Sequence, residues 1–194
     1  INNGIYPYVS SSDCTVSGIY ANGFHFAPPK QVYGVAKCYT TKVGEGPFPT
    51  EISGKEAEEL RERGKEYGAT TGRPRRIGWL DIPALDYACK VGGITNLIIT
   101  KFDILAGMEQ VPVCTFYDKA PTSPTDFFEA KPQFINMKGW STASKHEHEI
   151  SDGFIGNDYA REMYEFVWQI EKLTGKPVSY LSMGTEPKDI IEWR

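Results

Sequence analysis

Ile94 to Thr100, ITNLIIT, is the stretch that most restricts the fold of this chain. It is short, apolar and rich in isoleucine, which is the composition of a buried parallel strand. Gly92-Gly93 stops a helix just before it. That helix is expected to begin with Asp81 as N-cap and Pro83 soon after, and to run through Ala84, Leu85, Tyr87, Ala88 and Val91. Val111–Tyr117, Pro177–Leu181 and Gln31–Thr41 read as further strands, and Ile5–Val9 as a short β-like run. Lys55–Tyr67 predicts a charged helix that ends just before Gly68. Asn157–Thr174 is the clearest helix, with Met163, Phe166, Val167, Ile170 and Leu173 as its apolar stripe. Asp118–Asn136, with Pro121, Pro124 and Pro132, predicts a meandering loop. Helices alternating with apolar strands define the expected class as α/β.

The 194 residues suit one large domain or part of a larger one, and 40% hydrophobic residues suffice for a real core. A net charge of −4 argues against nucleic acid or an anionic membrane as the main partner. There is no run of about 18 apolar residues to span a bilayer, and no signal peptide is expected. Cys14, Cys38, Cys89 and Cys114 are widely spaced without C-x-x-C, so they read as reduced thiols of a cytoplasmic protein. The chain opens on Ile1 and reads like the middle of something, so a piece of a longer protein is expected.

In an acidic chain, a local cluster of arginines points to a ligand. Gly68 to Asp81, GATTGRPRRIGWLD, carries Thr70, Thr71, Arg73, Arg75 and Arg76 on a backbone shaped by Gly68, Gly72 and Pro74. Threonine hydroxyls and backbone N–H groups can hold a carboxylate, and a guanidinium can grip it in two places. The loop therefore reads as a site for a small carboxylate or phosphate, and otherwise as an exposed basic turn.

Thr100-Lys101-Phe102-Asp103 follows the apolar strand, where open α/β sheets bind ligands. An aspartate there can accept from N1–H and the exocyclic amine of guanine, a donor pair that adenine lacks. The lysine stem can lie across the base. The plainer reading is a capped turn. Ser182-Met183-Gly184-Thr185 holds the same position after Pro177–Leu181, and two such loops could sandwich one base. The serines Ser10, Ser11 and Ser12 can cap a helix or donate to a ligand. Lys42–Thr50 is a Gly/Pro-rich loop without a phosphate-loop pattern. His146-Glu147-His148 lacks a third partner for a metal.

These residues carry a resemblance. The runs YPYVSSSDCT, VYGVAKCYTTKVGEGPFPTE, GATTGRPRRIGWLD and TKFDIL follow, in order and spacing, the C-terminal half of the adenylosuccinate synthetases, and the likeness covers essentially the whole chain. The resemblance implies a P-loop-like α/β fold with a mainly parallel central sheet, its N-terminal half absent here. It implies part of a GTP-dependent ligase that joins aspartate to IMP in purine biosynthesis, a cytoplasmic homodimer without nucleic-acid or membrane partners.

By resemblance, Ala69, Thr70, Thr71, Gly72, Arg73, Pro74 and Arg75 form the aspartate loop. Ser10, Val43 and Arg73 would contact IMP. Arg75, Lys101, Phe102, Asp103, Ser182, Met183 and Gly184 would contact GTP. Ser10 stands where the family usually has threonine, Thr185 where it has proline, and P-G-W appears as Lys138-Gly139-Trp140. The family's phosphate loop, catalytic aspartate, phosphoryl-transfer histidine and Mg2+ ligands lie in the other half, and no stretch here matches them. The 194 residues alone are therefore expected to be inactive. The alternative is a stand-alone nucleotide-binding or interaction module derived from that enzyme.

Overall fold

The computed structural model describes residues 4–9, 13–23, 27–123, 125–141 and 158–193. Its strands are β1 (Tyr33–Lys37), β2 (Thr40–Lys42), β3 (Arg76–Gly78), β4 (Leu80–Asp81), β5 (Asn96–Thr100), β6 (Gln110–Tyr117), β7 (Pro132–Lys138), β8 (Val178–Ser182) and β9 (Ile190–Glu192). Its helices are α1 (Ser17–Ala21), α2 (Gly54–Gly64), α3 (Ile82–Gly92), α4 (Phe102–Leu105), α5 (Asp126–Glu129) and α6 (Asp158–Thr174).

The expected α/β class holds. The largest sheet has the order β1-β5-β8-β9, with β1, β5 and β8 parallel and β9 antiparallel to β8. The apolar run Ile94–Thr100 supplies its centre, where Leu97 and Ile99 are fully buried. A three-stranded sheet β4-β6-β7 and the two-stranded antiparallel sheet β2-β3 complete the strand pattern. The stripe of α6 enters the core through Met163, Phe166, Val167 and Ile170. Asp81 caps α3 as expected, its side chain accepting from the Ala84 amide at 3.1 Å, and Gly93 ends that helix at φ +64°.

Phe102, Trp140 and Phe166 form an aromatic cluster, with ring centroids 5.1 Å, 5.7 Å and 5.2 Å apart. The Trp140 indole donates to the Phe102 carbonyl at 3.0 Å. This bond ties the segment after β7 to the turn that leaves β5. All four cysteines are free thiols.

Four expectations need correction. Ile5–Val9 is a turn, closed by Tyr8 N–H to the Ile5 carbonyl at 2.8 Å, because Pro7 has no N–H to give a ladder. Gln31–Thr41 is two strands, β1 and β2, that join different sheets. Helix α2 stops at Gly64, with Lys65 left-handed at φ 50°, so the arginine loop does not start at a helix end. The loop expected over Asp118–Asn136 contains α5 and most of β7, which pairs antiparallel with β6. Pro132 is the first residue of β7, where a strand tolerates a missing donor.

Close packing around the Trp140 segment generates a prediction. A Cβ on Gly139 would stand 1.8 Å from the Met108 carbonyl oxygen. Gly139→Ala should therefore cost about 1–3 kcal/mol or more by overpacking against backbone. A lowered denaturant midpoint at unchanged slope is the expected readout, and an unchanged midpoint would contradict it.

Candidate functional site

Parallel strands end side by side on one edge of the sheet. The register pairs Lys37 with Thr100 and Ile99 with Leu181. The segments beyond β1, β5 and β8 therefore leave the same end of the sheet, with Lys37 and Cys38 next to Lys101 and Ser182 on the far side of β5. That edge is where open α/β sheets hold ligands.

The arginine loop is a closed structure of its own. Gly68 N–H donates to the Arg73 carbonyl at 2.9 Å, and Gly72 N–H to the Gly68 carbonyl at 2.8 Å. An antiparallel bridge between Tyr67 and Pro74 closes its neck. Gly72 lies at φ +64°, a conformation glycine adopts without steric cost. Ala69, Thr70, Thr71, Gly72, Arg73 and Pro74 are exposed, and Arg75 is half-buried.

Beneath the loop lies a buried carboxylate. Glu66 is 1% exposed. Its Oε1 accepts from Lys37 Nζ at 2.6 Å and from the Tyr39 hydroxyl at 2.7 Å, and its Oε2 accepts from Arg75 Nη1 at 2.6 Å. The backbones are joined too, because Arg75 N–H donates to the Glu66 carbonyl at 2.9 Å. Arg61 of α2 holds the Arg75 carbonyl at 2.9 Å. Burial raises the Glu66 carboxyl pKa, and the bonds from Lys37, Tyr39 and Arg75 outweigh it, so the group is held below its ordinary value. Burial and the neighbouring carboxylate push the Tyr39 hydroxyl up, which keeps it a donor. One carboxylate faces two cations, so the cluster has surplus positive charge for an anion.

The expected base-reading segment stands alongside. Lys101 is left-handed at φ 70°, an uncommon state for a residue with a side chain. Its carbonyl accepts from the Cys38 thiol at 3.0 Å and from Ile104 N–H at 3.0 Å. Its amine donates to the Gly64 carbonyl at the end of α2, at 3.1 Å. Asp103 is half-buried, and no described group donates to its carboxylate. Phe102 cannot meet a ligand through its ring, which is fully buried in the aromatic cluster. Across β5, Ser182 Oγ donates to the Gly184 carbonyl at 3.0 Å, and Met183 N–H to the Asp189 carbonyl at 2.9 Å. A Cβ on Gly184 would stand 2.3 Å from Asp189 Oδ2, so a larger residue there would have to displace the Asp189 side chain.

The third arginine is used within the protein. Arg76 donates twice to Glu51, at 2.7 Å and 2.6 Å, and also to the carbonyls of Gly44 and Gly46. It thereby fixes the loop that carries the exposed Val43. Ser10, His146 and His148 lie outside the described residues. Among the described residues no group of three His, Cys, Asp or Glu side chains is disposed to bind a metal, and no helix is long and apolar enough to cross a membrane.

Sequence reasoning missed Glu66 and Lys37. Glu66 looked like one more charge in KEAEELRERGKEY, and its only signal was its place two residues before the loop. A cleft of about 820 Å³ lies elsewhere, lined by Ile5, Tyr8, Pro83, Tyr87, Phe116 and Phe127 among others. No expected site residue lines it, and its walls are chiefly apolar.

The fold and this edge define an α/β protein with a cationic candidate site at the carboxyl ends of a parallel sheet. The sequence model of adenylosuccinate synthetase matches residues 1–191, and the chain belongs to the adenylosuccinate synthetase family. It is 44% identical over 193 residues to an adenylosuccinate synthetase of Petrotoga mobilis, covering 96% of this chain and 42% of that protein. It is 42% identical over 191 residues to one of Thermotoga maritima, covering 97% of this chain and 44% of that protein. The fully ligated adenylosuccinate synthetase of Plasmodium falciparum has a similar structure, with TM-score 0.84 and 33% identity over 98% of this chain and 46% of that one. A cyanophage S-2L succinoaminodeoxyadenylate synthetase, at 14% identity and TM-score 0.54, shares the fold alone. The chain thus spans less than half the length of these relatives.

The lowered Glu66 carboxyl gives a pH prediction. A depressed folded-state pKa adds stability above the ordinary carboxyl value of 4.5 and loses it as pH falls through the folded value. The stability gap between the wild type and Glu66→Gln should be constant from neutral pH down to about 5 and shrink below about 4. Denaturant melts across that range would show it, and a gap independent of pH would contradict it.

Proposed function

We propose that this chain is the part of a GTP-dependent carbon–nitrogen ligase that clamps aspartate and reads guanine, joining aspartate to IMP in purine biosynthesis. The observation that carries the reading is the meeting of strand ends at one edge. The loop Ala69–Arg75, Lys101–Asp103 and Ser182–Gly184 belong to segments that leave or flank β1, β5 and β8 together. Membership of the synthetase family supports it.

These roles join the chemistry of the side chains to the family resemblance, which alone assigns the IMP contacts of Ser10, Val43 and Arg73. Thr70, Thr71 and the loop amides offer donors to the carboxylates of aspartate, and Arg73 reaches aspartate and the IMP ribose. Arg75 has Nη1 on Glu66, and no described group accepts from its Nη2 or Nε, which leaves donors for a second carboxylate. Ser10 and Val43 contact IMP. Asp103 selects guanine through its two acceptor oxygens. Lys101 supports the base, as do Ser182, Met183 and Gly184 from the other side, while Phe102 only anchors the turn. Such clamps act by positioning, which lowers the entropic part of the barrier. Mg2+ would neutralise phosphate charge. By the family resemblance, its ligands and the proton-accepting base belong to the other half of the complete protein. The complete protein is proposed to be a cytoplasmic homodimer, and the 194 residues alone to be inactive.

The test is GTP- and IMP-dependent consumption of aspartate by the complete protein that carries this chain. Asp103→Ala should raise the KM for GTP about ten- to a hundredfold, the loss of bonds to a charged acceptor, with the KM for aspartate nearly unchanged. No ligation by the complete protein, with guanine nucleotide still bound, would favour a binding module instead. Ligation by the pure 194-residue chain would contradict the division of labour proposed here.

A further inference from the structure

We propose that Glu66 is the positioning residue of the aspartate clamp, holding the Arg75 guanidinium in its binding geometry from beneath the loop. The inference rests on the carboxylate reading of Ala69–Arg75.

Arg75 has a long side chain whose rotamer freedom must be removed before it can grip a ligand. Glu66 removes it with one charge-assisted bond at 2.6 Å, and the paired backbones fix the root of the side chain by Arg75 N–H to the Glu66 carbonyl. Among the described residues the Arg75 side chain engages a partner through Nη1 alone, so one corner of the guanidinium is held while its other edge stays open. Glu66 is itself immobile. It is buried, and Lys37 from β1 and Tyr39 from the β1–β2 connection hold its other oxygen. Lys37 also donates to Thr41 at 3.0 Å, so the carboxylate is tied to β2 as well. The chain of contacts therefore runs from the carboxyl end of β1, through Glu66, to the ligand-facing arginine. Two cations around one carboxylate leave net positive charge, so Glu66 orients Arg75 without cancelling the field that attracts a dicarboxylate.

A residue that acts through Arg75 has a signature that plain destabilisation lacks. In the complete protein, Glu66→Gln should raise the KM for aspartate about ten- to a hundredfold, while the KM for IMP, which Arg75 is not assigned to contact, stays within about threefold. In an Arg75→Ala background the same substitution should add little to the KM for aspartate, because the two residues act as one unit. If Glu66→Gln does not fold, Lys37→Met with Glu66→Gln removes the buried ion pair together and is judged by the same criteria. An unchanged aspartate KM, equal losses for all substrates, or full additivity with Arg75→Ala would overturn the positioning role alone. An Arg75→Ala protein with unchanged aspartate KM would overturn the carboxylate reading, and this inference with it.

Discussion

Glu66 is a charged group where charge is expensive. Moving a carboxylate out of water costs several kcal/mol even after relaxation, and only good geometry with further hydrogen bonds offsets it. Here Lys37, Tyr39 and Arg75 supply that geometry from three places in the chain. The arrangement has structural consequences. The carboxyl end of β1, the β1–β2 connection and the neck of the arginine loop cannot move independently, because each holds the same carboxylate. The exposed loop residues inherit a rigid base, which a binding loop requires.

A second anchor serves the neighbouring segment. The turn after β5 takes a left-handed residue at Lys101, and the surroundings over-determine it. Cys38 and Ile104 hold its carbonyl, the Gly64 carbonyl holds its amine, and Phe102 is locked between Trp140 and Phe166. Asp103 is left facing out of this frame with its acceptors unused by described donors. Glycine at Gly184 lets the β8 loop close tightly onto Asp189 on the other side. The candidate site is thus a set of side chains mounted on two separately braced turns.

Much of the scaffold was legible in the sequence, and particular residues show why. ITNLIIT announced β5, and the stripe from Met163 to Leu173 announced α6, because period and composition agreed. The class, the family, the arginine loop and the paired strand-end loops followed. Other features depend on tertiary context. β7 was hidden because its exposed side reads as polar loop and Pro132 marks its start. The end of α2 was displaced because Lys65 takes the left-handed turn that Gly68 would be expected to supply. Glu66 could not be found from a run of charges, since only folding decides which of them is buried. Phe102 was grouped with its ligand-facing neighbours, yet one step along a tight turn sends its ring into the core.

The most direct measurement is a structure of the complete protein with aspartate and a guanine nucleotide bound. This account predicts Arg75 Nη1 still on Glu66, a ligand carboxylate on the open edge of the same guanidinium, and guanine on Asp103. Arg75 released from Glu66 in the liganded state would contradict it, as would ligands lodged instead in the cleft between Tyr87 and Phe116.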